Sequence, residues 1–175
     1  MNINEFKKLF DKLKQPYILI LIGPPLSGKD SLLKQLDLTN TKVISRDDIL
    51  MEMSDTDDYS DAFNTVSQKE VDAELQRRLL DAADNGKNAI INMTNMTSKR
   101  RRHNLEYFGD EFTKIAVIFP ILEWDEYKRR NDKRKSEENK WIPEHVIKRM
   151  IGTYQPIREE EGFDKVVSLE NNDKK

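Results

Sequence analysis

The segment Gly23-Pro24-Pro25-Leu26-Ser27-Gly28-Lys29 follows directly on Tyr17–Ile22, the longest uninterrupted apolar run in the chain. An apolar run with no alternation is what a strand buried on both faces looks like. A glycine, four residues and then Gly-Lys, set between such a strand and a helix, lets successive backbone N–H groups curl round phosphate oxygens, and the helix N-terminus adds partial positive charge. Gly28 permits close backbone approach, and Lys29 carries its charge to the β- and γ-phosphates. The plain alternative is a tight turn with an exposed lysine; the flanking strand and helix weigh against it. The nucleotide-binding segment is therefore read as Gly23, Pro24, Pro25, Leu26, Ser27, Gly28, Lys29, Asp30 and Ser31, with the apolar strand at the centre of an α/β domain.

The rest of the chain alternates in the same way. Apolar periodicity predicts helices over 3–14, 27–36, 47–53, 62–85, 98–108, 123–134 and from Pro143, and further strands over 42–45, 88–93, 115–119 and 166–169. In the longest helix Val66, Val71, Leu75, Leu79 and Leu80 are expected to face inward. Residues 137–141 read as a loop. This order predicts an α/β fold: a five-stranded, mainly parallel sheet with helices on both faces and a helical lid over about 128–142. Residues 1–15 read as an amphipathic helix, an interface or a cap on the sheet. Residues 16–170 form the domain, and 171–175 read as a disordered tail. A length of 175 residues suits one domain, and the absence of cysteine excludes thiol catalysis and a disulfide framework. The net charge is −2, so any nucleic-acid contact must be a local basic patch. No apolar run is long enough to span a membrane, and the N-terminus lacks the apolar core of a secretory signal. A cytoplasmic setting is expected, a phage-infected host included.

Several further residues carry chemistry. Asp30 stands where a phosphate loop normally has Ser or Thr for Mg²⁺; with Ser31 it is the expected metal position, a hard anionic oxygen that predicts strong Mg²⁺ dependence. Asp47, after the second strand and beside Arg46 and Asp48, lies on the rim where open α/β sheets bind ligands. It could take a proton from an acceptor hydroxyl; the alternative is helix capping, which suits Ser45 and Asp48. The third strand ends in Asn92-Met93-Thr94-Asn95 with no Walker B acid. Thr94 and Asn95 could position an acceptor or form a simple turn. Arg100, in the run 99–102, could pair with acceptor phosphates, although such runs more often form a solvated face. Arg130 and Arg134 are four residues apart on one helical face and could neutralise transferring phosphate; the alternative is a solvated helix. Trp141 reads as an anchor for the next helix or a base-stacking residue. His103 and His145 are isolated and suggest no metal site.

Together these pieces resemble the kinase domain of the bacteriophage-type polynucleotide 5′-hydroxyl kinases. The likeness runs in family order over roughly 16–155: the phosphate loop, Arg46-Asp47-Asp48, Thr94-Asn95 with Lys99-Arg100, Arg130-Asn131 to Arg134, and Ile142-Pro143 with Val146 and Met150. It implies a P-loop kinase that moves the ATP γ-phosphate to a 5′-hydroxyl of DNA or RNA, often as a homo-oligomer, here without the phosphatase domain some members carry. By resemblance Lys29 contacts ATP phosphates, Asp47 is the general base, Arg130 and Arg134 are lid residues, and Arg46, Thr94, Asn95 and Arg100 lie on the acceptor side. The departures lie there too: Leu50 replaces the family arginine and Met93 the carboxylate before Thr-Asn.

Those departures keep other acceptors in view. One is a hydroxymethylated base such as 5-hydroxymethyluracil in DNA, for which Leu50 and Met93 would form an apolar, base-sized pocket. A nucleoside monophosphate is another. A non-catalytic nucleotide-binding module is the third, supported by Asp30 and the missing acid. The stretch 47–61 has seven Asp/Glu and no Lys or Arg, and would repel a polyanion passing over it.

Overall fold

Six consecutive apolar side chains make β1 (Tyr17–Ile22) the centre of the sheet, and all six are buried. The computed structural model describes residues 1–138 and 140–171. Around β1 the chain runs α1 (Ile3–Phe10), α2 (Lys29–Leu33), β2 (Thr41–Ile44), α3 (Arg46–Glu52), α4 (Tyr59–Thr65), α5 (Gln68–Asp84), β3 (Asn88–Ile91), α6 (Ser98–Leu105), β4 (Thr113–Ile118), α7 (Trp124–Glu138), α8 (Glu144–Gly152), a 3₁₀ turn at Glu159–Glu161 and β5 (Lys165–Ser168). The strand order is β2-β3-β1-β4-β5 and every described pairing is parallel, with Ile20 opposite Ile91 on one side and Ala116 on the other.

Parallel crossovers place helices on the faces, so β1 is covered twice. Ile18, Ile20 and Ile22 join Ile44, Ala89, Ile91 and Ala116 in a core shared with α3, α5 and α6. Tyr17, Leu19 and Leu21 point the other way, into a core with Phe6, Phe10, Leu32 and Leu33 of α1 and α2. α1 is thus a cap on the sheet, started by an Asn2–Glu5 capping box. Burial of Phe6 and Phe10 contributes about 1.5–3 kcal/mol each. A smaller cluster, Leu122, Tyr127 and Ile147 with Leu26, Trp124, Ile142 and Ile151, ties α7 and α8 to the phosphate loop.

Some expectations are corrected. The helix expected over 62–85 is two helices, α4 and α5, because the chain turns extended at Val66 and Ser67 starts again as an N-cap, its Oγ accepting from the Glu70 N–H. Leu80 is exposed, since the buried stripe of α5 is Val71, Leu75, Leu79 and Ala82. α7 runs on to Glu138, through the start of the expected loop, and Trp141 is exposed rather than an anchor. The expected tail lies outside the described residues except for Asn171. No described helix is long and apolar enough to cross a membrane.

Candidate active site

The phosphate loop is held in shape by its own residues and by the lid. Gly28 has φ 101° and Leu26 φ 66°, so the backbone turns back twice before α2 begins. A Cβ on Gly23 would sit 2.7 Å from Ser27 Oγ and 2.8 Å from Phe119 Cβ, so only glycine fits there. Lys29 Nζ donates to the carbonyls of Gly23 (2.9 Å) and Pro24 (2.7 Å) and to Ser27 Oγ (3.4 Å). Burial of the ammonium lowers its pKa to about 8; Asp30 and Asp47 pull against that shift and Arg134 adds to it. Three charges, from α2, α3 and α7, therefore act on the Lys29 ammonium. Pro25 borders the loop, partly exposed.

Asp30, in the first turn of α2, accepts from Asn92 Nδ2 at 2.8 Å. The amide that follows β3 thus orients the carboxylate, with carboxylate and partner exchanged relative to the usual Ser/Thr–Asp pair. This donor set suits a hard cation completed by phosphates and water. Among the described residues no group of three or more His, Cys, Asp or Glu could hold a metal by itself. Ser31 is exposed beside Asp30.

Ser45 caps α3 through the Asp48 N–H and leaves Asp47 exposed in the first turn. Tyr59 donates its hydroxyl to Asp47 Oδ1 at 2.8 Å. Burial, reinforced by Asp47, pushes the Tyr59 phenol well above its ordinary range. Arg46 is turned onto α5, where Nε meets Asp72 and Nη2 meets Gln68, each at 2.8 Å. Leu50 is fully buried in the main core, which removes its part in a base-sized acceptor site.

The turn after β3 braces the loop. The Thr94 carbonyl accepts from the Gly23 N–H at 3.0 Å. Asn95, 2% exposed with φ 48°, donates from Nδ2 to Leu21 O (2.8 Å) and accepts from Asn104 at Oδ1. Its side chain therefore lies inside the fold. Arg100 is exposed, but Arg101 is fully buried. Arg101 makes a two-pronged pair with Glu161 (2.7 Å to each oxygen) and donates to the carbonyls of Asn95, Met96 and Pro156. In the lid, Arg130 Nη1 donates to Leu26 O at 2.8 Å and its Nε to Glu126, so it clamps the loop. Arg134, partly exposed, is 3.3 Å from Glu138 and acts electrostatically on both Lys29 and Tyr59. Beside Gly23 and Pro24 an almost wholly apolar cleft of about 270 Å³ opens at the ends of β1, β4 and β5.

Lys29, Asp30, Asp47, Arg130 and Arg134 thus gather on one rim, while Arg46 and Asn95 are committed to the scaffold. Sequence reasoning missed Tyr59, Asn92 and the Arg101–Glu161 pair. Asn92 was readable, since it is the polar residue directly after β3, on the rim of the phosphate loop; Glu161 was not, because 60 residues separate it from Arg101.

Residues 18–157 match the AAA domain family AAA_33. The chain belongs to that family. Among solved structures this AAA domain is similar to a chain of the Pnkp1/Rnl/Hen1 RNA repair complex, at 23% identity and a TM-score of 0.64, covering 82% of this chain and 45% of that one. It therefore spans less than half the length of that relative. It is also similar to Kti12 of Chaetomium thermophilum in complex with ADP-AlF3 (12% identity, TM-score 0.62, 89% and 90% covered). A third likeness is to the PezAT toxin–antitoxin system of Streptococcus pneumoniae (14%, 0.63, 95% and 73%). The fold is that of the P-loop kinases, and the resemblance to the polynucleotide kinase domain is borne out at the level of fold.

Proposed function

We propose that this AAA domain is an ATP-dependent kinase that transfers the γ-phosphoryl group to a 5′-hydroxyl of DNA or RNA. The observation that carries the reading is the convergence of Asp30, Asp47 and Arg134 on the Lys29 ammonium. Lys29 and the loop N–H groups bind the phosphates, and Arg130 fixes the loop's curvature through Leu26 O. Asp30, with Ser31 beside it, would hold Mg²⁺, which would supply neutralisation of the phosphate charge. The acceptor oxygen bonds to the γ-phosphorus as the bridging β–γ P–O bond breaks; ADP leaves with that electron pair, and the acceptor proton passes to the Asp47 carboxylate. Arg134 stabilises the transferring group. Arg100 and Thr94 lie on the acceptor side, and Arg46 and Asn95 act by positioning.

A hydroxyl carried on a base, such as 5-hydroxymethyluracil in DNA, is the second reading. The acidic run 47–61 favours it, since a base can enter where a phosphate backbone is repelled. The test is transfer of labelled γ-phosphate with Mg²⁺ to a panel: 5′-hydroxyl DNA and RNA, an end-blocked hydroxymethyluracil duplex, and nucleoside monophosphates. Label on the 5′ ends, weakening steeply with salt, is the expected result. Label only on monophosphates, indifferent to salt, would sink the nucleic-acid assignment.

A further inference from the structure

α4 stands beside the candidate base and carries two aromatic rings to which phosphoryl transfer gives no task. Tyr59 is fixed at both ends: its hydroxyl bonds to Asp47, and its ring packs against the main core. Phe63, four residues on, stacks on it with ring centroids 6.4 Å apart and an interplanar angle of 30°. Phe63 is nonetheless 49% exposed. Phe63 thus presents an aromatic face to solvent, one side chain removed from the candidate base. Asp55, Asp57, Asp58 and Asp61 flank this pair, with no cation between 47 and 61. Backbone phosphates are disfavoured there, whereas the face of a base is uncharged and stacks on aromatic rings whatever its sequence.

We propose that Tyr59 and Phe63 form the platform on which the nucleobase that bears, or adjoins, the acceptor hydroxyl is stacked. The inference rests on the reading of Asp47 as general base. It deepens that reading by assigning acceptor selection to base stacking on α4 rather than to phosphate contacts. Tyr59 links the two, since the ring that supports Phe63 also holds the carboxylate that receives the proton. One stacked base is worth about 1–3 kcal/mol, or about 5- to 150-fold.

The experiment compares a 5′-hydroxyl oligonucleotide with one whose 5′ residue is abasic, in wild type, Phe63→Ala and Phe63→Trp. Wild type and Phe63→Trp should favour the base-bearing acceptor in kcat/KM by about tenfold or more, and in Phe63→Ala the ratio should fall to about one. Equal use of both acceptors by wild type, or a ratio untouched by Phe63→Ala, overturns the platform. A 2-aminopurine at the 5′ position reports stacking without turnover: its fluorescence should be quenched by wild type and not by Phe63→Ala. Quenching that depends on Phe63 with no transfer would keep the platform and refute the kinase reading; transfer without such quenching would do the reverse. Neither quenching nor transfer would refute both. With the end-blocked hydroxymethyluracil duplex, Phe63-dependent label identifies the stacked base as an extruded one, and with the oligonucleotide as a terminal one.

Discussion

Replacing Glu161 by glutamine tests how the turn behind the phosphate loop is held. Both Arg101 and Glu161 are wholly buried, and each carboxylate oxygen is 2.7 Å from a guanidinium nitrogen. Breaking a buried pair from one side costs about 3–5 kcal/mol, because the remaining charge stays in low dielectric. The amide of the Glu161→Gln variant would keep one acceptor, so a loss near about 3 kcal/mol is expected. In the double variant Arg101→Met, Glu161→Met both charges go, and what remains is the loss of donors to Asn95, Met96 and Pro156, at about 1 kcal/mol for each carbonyl. The double variant should therefore be no less stable than Glu161→Met alone, far from additive. Urea unfolding of wild type and these variants, with Arg101→Met alone beside them, measures this. A Glu161→Gln loss below about 1 kcal/mol, or additive single losses, would refute the account. Burial pushes the Glu161 carboxyl up, but bonds from Arg101 and the Arg158 N–H more than offset it, leaving it below the ordinary glutamate range. Its stabilising contribution is thus present at neutral pH and should be lost as pH falls through that depressed value.

Two further outcomes are expected. Gly23→Ala puts a methyl within 2.8 Å of Ser27 Oγ and Phe119 Cβ and should lower stability by about 1–3 kcal/mol and abolish ATP binding, read by thermal melting and nucleotide titration. Lys29, at about 8, is largely protonated below that pH. Phosphate favours the ammonium, so ATP binding should take up a proton above pH 8 and weaken by up to about tenfold per pH unit; calorimetry at about pH 9 in buffers of different ionisation enthalpy would show it, and no proton uptake would contradict it.

The phosphate loop, all five strands and the lid were legible because each rests on local pattern: an apolar run, a Gly-x₄-Gly-Lys spacing, a basic helical face. The break between α4 and α5 was missed: its signal, Ser67-Gln68-Lys69-Glu70, was masked by the apolar stripe on either side. What the sequence hid depends on pairing across distance. The run 99–102 looks uniformly solvated, yet Arg101 meets its counter-ion from the last turn before β5. Asn95 and Leu50 looked like acceptor positions and are interior, since burial at a turn or on a short helix depends on which face the sheet takes. Tyr59 sat in an acidic stretch with no apolar period to mark it.

Asp47→Asn tests the central claim most directly. Asparagine keeps the size of the side chain and an acceptor for the Tyr59 hydroxyl but cannot take the acceptor's proton at neutral pH. Single-turnover transfer of labelled γ-phosphate should slow by about 10²–10⁴-fold while ATP affinity stays at the wild-type level. Transfer within about tenfold of wild type would contradict the account and move the base elsewhere.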